Sequence, residues 1–114
     1  MVRAVETGDP DSEVFIAEQE GKAAGCLHIL AATDFFGLRH AHVSVIATSA
    51  SAEGTGIGRA LMMHAEEWAR RRKLLLLTLN VFAANTRARR FYENAGFAPE
   101  FLKYAKPIEP DREK

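Results

Sequence analysis

Short runs of apolar strand formers, separated by polar turns, fill residues 13–50. "EVFIAEQ" (13–19), "AAGCLHILAA" (23–32) and "AHVSVIATSA" (41–50) each have strand length. The segments between them, "EGK" around Gly21 and "TDFFGLRH" (33–40), carry turn residues, so the three strands form an antiparallel meander. The period then changes. From Gly56 to about Arg72, Ile57, Leu61, Ala65 and Trp68 recur at helical spacing, with Ala60, His64 and Ala69 beside them. Glu66, Glu67, Arg70 and Arg71 supply that helix with a solvated face. "LLLLTLNVF" (74–82) is continuously apolar, which predicts a strand buried on both faces. "ANTRARRFYENAG" (84–96) predicts a second helix, with Ala88, Phe91, Tyr92 and Ala95 on one face and Gly96 as its left-handed stop. "FAPEFLKYAKPI" (97–108) predicts a terminal strand that Pro99 limits near its start.

The order strand, strand, strand, helix, strand, helix, strand defines an α+β (α/β) fold. Its sheet is mixed and mostly antiparallel, and the third and fourth strands are joined by a central parallel βαβ crossover. The 114 residues are expected to form one domain, with residues 1–12 and 108–114 poorly ordered.

Composition adds exclusions. The chain has 15 Lys plus Arg and 15 Asp plus Glu, a formal net charge of zero. Bulk charge therefore gives no case for a nucleic-acid or membrane partner. Cys26 is the one cysteine, so no internal disulfide or cysteine zinc site can form, and no metal is expected. A reducing, cytoplasmic setting fits best. The start, "MVRAVETGDPDS", lacks the apolar core of a signal peptide, and no apolar run reaches the length of a membrane span.

The candidate chemistry lies in "EGTGIGRALM" (53–62). A strand end, a glycine-rich loop and a helix start together make an anion site. Glycines let successive N–H groups point the same way, and the helix start adds unsatisfied donors with partial positive charge. A diphosphate fits, held by backbone donors and helped by Arg59. A Walker loop would need Lys-Ser/Thr after Gly58, where Arg59 and Ala60 stand. A dinucleotide fingerprint would need glycine at Leu61.

The stretch "EGTGIGRALMMHAEEWARRRKLLLLTLNVFAANTRARRFYENAGF" resembles the core of the GNAT superfamily of acyl-CoA-dependent N-acyltransferases, and the likeness extends over about residues 13–107. It rests on the Gly-x-Gly loop opening a helix, Asn85 after the next strand, and "FYENAGF" (91–97). The resemblance implies acetyl-CoA (acyl-CoA) as co-substrate. Its pyrophosphate would lie on the backbone of Gly54, Thr55, Gly56, Ile57, Gly58 and Arg59. Its pantetheine arm would pair with the backbone of Ile46, Ala47 and Thr48, with a main-chain N–H as oxyanion donor. Asn85 would hydrogen-bond the arm, and Tyr92 would be the general acid for the leaving thiolate. Ordinary values put a thiol near ~8.5 and a phenol near ~10, so full proton transfer is uphill by roughly 2 kcal/mol unless the Tyr92 pKa is lowered or the hydrogen bond stops short of transfer.

The family pattern is not complete. Many relatives carry an acidic residue on the strand before the loop, where Val43, Ser44, Val45 and Ile46 stand here. His42 is a possible base in its place, with His40 and His28 nearby. Glu53 replaces the Gln or Arg of many relatives. Relatives also begin with a strand and one or two helices, whereas about a dozen residues precede the first strand read here. The acceptor pocket is then open or closed by a second subunit, and the bare sheet edge leads us to expect a homodimer. The expected reaction is direct attack by a small-molecule or peptide amine on the thioester. The alternative is an acyl-CoA-binding sensor or regulatory module without turnover.

Overall fold

The meander forms because each strand run ends where the backbone must reverse. A computed structural model of the chain describes residues 1–111. Strand β2 is Ser12–Gln19, β3 is Lys22–Thr33 and β4 is Arg39–Thr48. Glu20 and Gly21 turn the first hairpin, with φ of 52° and 77°. Two positive φ values in a two-residue loop match the right-handed twist of the strands they join. In the second hairpin the Asp34 carboxylate accepts from the N–H groups of Phe36 and Leu38, both at 2.9 Å.

A strand absent from the sequence reading precedes these. β1, Val2–Val5, pairs antiparallel with β2 from Val2↔Ala17 to Val5↔Val14. Residues 2–5 are therefore ordered strand, correcting the expectation of a loose start. The edge strand on that side of the sheet is β1, not β2.

After β4 come a 3-10 turn, Ala50–Ala52, then helix α1, Ile57–Arg71, and strand β5, Leu77–Leu79. The five strands lie in the order β1-β2-β3-β4-β5, and only β4 and β5 are parallel, which is the predicted crossover. The long apolar run yields a strand of three residues. Leu74 is buried but Leu75 is exposed, so burial on both faces does not hold.

The core lies between the sheet and α1. Ile57, Leu61, Met62, Ala65, Trp68 and Ala69 of the helix are buried, as are Phe15, Ala17, Leu27, Ile29, Ala41 and Val43 of the strands. Gly25 sets how closely the helix approaches. A Cβ there would stand 2.8 Å from the Ala47 carbonyl oxygen and 3.0 Å from a methyl of Ile57. The helix ends in a Schellman motif: Leu74 N–H donates to Ala69 O at 2.9 Å and Lys73 N–H to Arg70 O at 3.0 Å.

The chain's contacts divide it into two units, Met1–Asn80 and Val81–Lys114. The second contains helix α2, Thr86–Asn94. No strand follows it among the described residues, so the predicted strand over 97–108 is not formed. Residues 108–111 have no regular structure, and the rest of the predicted tail lies outside the described residues.

Candidate functional site

The glycine loop of the first unit is built as an anion cradle requires. Gly54 and Gly56 have φ of 79° and 89°, a region that L side chains enter at a cost of roughly 1–2 kcal/mol. Gly56 is the N-cap residue of α1, whose first turn carries no acidic side chain. Among the described residues, no backbone carbonyl accepts from the N–H groups of Gly54, Gly56, Ile57, Gly58 or Arg59. These are the donors a helix start leaves unsatisfied, together with its positive dipole end. Thr55 departs from the expectation. Its N–H donates to Ala52 O at 3.2 Å, and its hydroxyl is bonded to the same oxygen, so it shapes the loop and holds no spare donor.

The strand leading into the loop has an open side. β4 pairs with β5 only at Ala41↔Leu77, His42↔Thr78 and Val43↔Leu79. From Ser44 to Thr48 no strand among the described residues pairs on that side. Alternation decides which groups face the opening. Ala41 N–H donates to Leu76 O, toward β5, whereas Ser49 N–H donates to Ala24 O, toward β3. The phase therefore switches between them. It switches at a β-bulge: Ile29 pairs with Val43 but His28 with Val45, leaving Ser44 as the extra residue. Counting back from Ser49, the main-chain groups of Ile46 and Thr48 face the open side, and those of Ala47 face β3. The closeness of Ala47 O to Gly25 agrees. Ala47 is thus removed from the expected backbone donors, and Ile46 and Thr48 stay.

The bulge also rearranges side chains. Without it Val45 would follow Ala41 and Val43 into the core, yet Val45 is exposed. The other face of the sheet carries two imidazole–hydroxyl pairs. His42 Nδ1 lies 2.7 Å from Thr78 Oγ1, and the Thr78 hydroxyl reaches Ala41 O at 3.5 Å. Burial, and then the neighbouring His40 ring, hold the His42 pKa below its ordinary value. His40 is buried, with Nδ1 3.2 Å from Leu38 O. His28 Nδ1 is hydrogen-bonded to Ser44 Oγ, which also reaches His28 O at 3.4 Å.

In the second unit, Asn85 is the N-cap of α2, and its Oδ1 accepts from Ala88 N–H at 3.1 Å. The sequence reading gave it a binding role alone; its oxygen is engaged in capping, and its amide NH₂ is not. "FYENAGF" is the terminator of that helix. Phe97 N–H donates to Tyr92 O at 3.0 Å and Gly96 N–H to Glu93 O at 3.1 Å, with Gly96 at φ 102°. The motif's hydrophobic contact is the Tyr92 ring against Phe97, edge to face at 5.9 Å between centroids, while Phe91 flanks it at 5.4 Å. Phe97 thus packs against the candidate Tyr92, a contact that the helix-stop pattern in the sequence contains. Burial raises the Tyr92 pKa above its ordinary value. The lowered value that would ease full proton transfer is not found, and the phenol stays a hydrogen-bond donor.

Among the described residues, no cluster of three or more His, Cys, Asp or Glu could hold a metal ion, and no helix is long and apolar enough to cross a membrane.

Comparison with known proteins gives the family and the fold. The Acetyltransferase (GNAT) family model matches residues 2–97. A Pyrococcus furiosus protein described as an acetyl transferase superposes with a TM-score of 0.81 at 31% identity, over 89% of this chain and 68% of its own. A ribosomal-protein-alanine N-acetyltransferase from Brucella melitensis biovar Abortus 2308 gives 0.69 at 25% identity, over 88% and 73%. An aminoglycoside N-acetyltransferase, solved in complex with CoA, shares the fold at 14% identity, with a TM-score of 0.82 over 95% of this chain and 100% of its own. No curated protein matches the sequence.

Proposed function

Since the chain belongs to the GNAT acetyltransferase family, we propose that it transfers an acetyl or other acyl group from acyl-CoA to a primary amine. One observation carries this reading. Five amides with no backbone acceptor among the described residues, at Gly54 and Gly56–Arg59, lie one 3-10 turn beyond a strand whose Ile46 and Thr48 groups face an open side. The first set suits a diphosphate, and the second suits the amides of an extended pantetheine arm, bound as an added strand. One coenzyme carries both groups.

On this reading a main-chain N–H at the open side also takes the thioester oxygen as it gains charge, a contact type worth roughly 3–4 kcal/mol in the transition state. The amine attacks the carbonyl carbon, the C–S bond breaks, and the thiolate leaves. Tyr92 is proposed, on the family pattern, to donate a hydrogen bond to the leaving sulfur. Its raised pKa makes that a donation rather than a complete transfer. The acceptor is a small-molecule or peptide amine.

Thiol release from acetyl-CoA across a panel of polyamines, aminoglycosides and peptides tests the reading with the full chain. Amine-dependent release that is lost in Gly56→Val supports it. Coenzyme binding with no release from any amine supports the second reading, a sensor of the same fold, which the lack of a carboxylate on β4 favours.

A further inference from the structure

The bulge that opens β4 also delivers Ser44 to the first unpaired position beyond β5, and there its hydroxyl meets His28. We propose that Ser44 and His28 form the proton relay that deprotonates the attacking amine. This rests on the acyl-transfer reading and adds the base that reading lacks.

Three observations carry it. No Asp or Glu occurs in β3, β4 or β5, so no carboxylate on these strands can take the proton. Ser44 is exposed, and it is the residue at which the strand edge changes from paired to open. Both polar neighbours of its Oγ, the Nδ1 and the carbonyl oxygen, belong to His28. His42 is placed differently. It is paired in register with Thr78 where the strands are still joined, and its Nδ1 is engaged by the Thr78 hydroxyl. The groups around His28 leave it no competing partner on the sheet. Its register neighbours are Val14 on β2 and Val45 on β4. The other titratable groups on this face among the described residues are Cys26 on its own strand, His42 and His40 on β4, and Arg3 on β1, which is paired with Glu18 at 3.4 Å.

The ammonium gives a proton to Ser44 Oγ while the hydroxyl proton passes to His28 Nδ1. This leaves a neutral amine, an unchanged serine and an imidazolium, which returns its proton to water after turnover. Ser44 touches the substrate and is the catalytic member. His28 acts through it.

The test uses the full chain with whichever amine is turned over. Ser44→Ala and His28→Ala should each lower kcat/KM by about 10²-fold or more, in the range of general base contributions. The double variant should fall no further than either single one, because the two act as a unit. Added imidazole should restore turnover to His28→Ala in a concentration-dependent way, which a merely structural role would not allow. Affinity for CoA, measured by calorimetry, should stay within about 3-fold in all variants. Turnover that persists in both single variants, or imidazole rescue confined to His42→Ala, overturns the relay and leaves acyl transfer standing. No release from any amine, by the parent chain itself, overturns acyl transfer and the relay together.

Discussion

Gly25 shows how one missing methyl group sets the position of a helix. Its Cα lies where a Cβ would meet the Ala47 carbonyl at 2.8 Å, and that backbone atom is fixed by the sheet. Gly25→Ala must push β4 or the start of α1 outward. It should cost about 1–3 kcal/mol in urea unfolding, the usual penalty for overpacking, and it should weaken CoA binding as well. His42 and Tyr92 make stability depend on pH in opposite ranges. The folded pKa of His42 is depressed, so the unfolded chain binds the proton first as pH falls. Stability therefore declines below about pH 6.5 and levels off once the folded value is passed. His42→Gln should flatten that slope in urea midpoints. The folded pKa of Tyr92 is raised, so the unfolded chain loses its proton first, and stability falls above about pH 10. Tyr92→Phe should remove that decline.

Elements were legible where a repeating pattern extended over many residues. Helix α1 was bounded to within a residue, because its apolar period runs unbroken from Ile57 to Ala69. The meander and its turns were legible for the same reason. The short strand β1 was not, since four residues, "VRAV", carry too little pattern to separate from a tail. The run 74–82 misled because an apolar strand and an apolar connection look alike in composition. The bulge at Ser44 was invisible, as "VSVI" reads as plain alternation, and only the register with β3 shows the extra residue. Helix α2 belongs to this scale too. Its cap and its terminator bound only nine residues, so its ends weigh heavily. Asn85→Ala should cost about 1 kcal/mol through the lost cap. Faster amide exchange confined to the first turn of α2 would register it.

At the scale of the molecule, the glycine loop and its neighbours are legible in the sequence as a candidate nucleotide site, whereas the open side of β4 is legible only in the pairing of the strands. With the chain's charge balanced, a polyanionic ligand would be held by local dipoles rather than by a general field. Acetyl-CoA at 100 times its dissociation constant should accordingly raise stability by about 2.7 kcal/mol, seen as an upward thermal shift. An empty scaffold would give none.

If bare main-chain groups of the loop and of β4 grip the coenzyme, an amide nitrogen–proton NMR titration of the full chain with acetyl-CoA reads those groups one by one. The largest shifts are expected at Ile46, Thr48, Gly54 and Gly56–Arg59, with Ala47 and Thr55 moving less. Saturable binding that leaves the Gly54–Arg59 amides unmoved, or no binding at millimolar coenzyme, would contradict that grip.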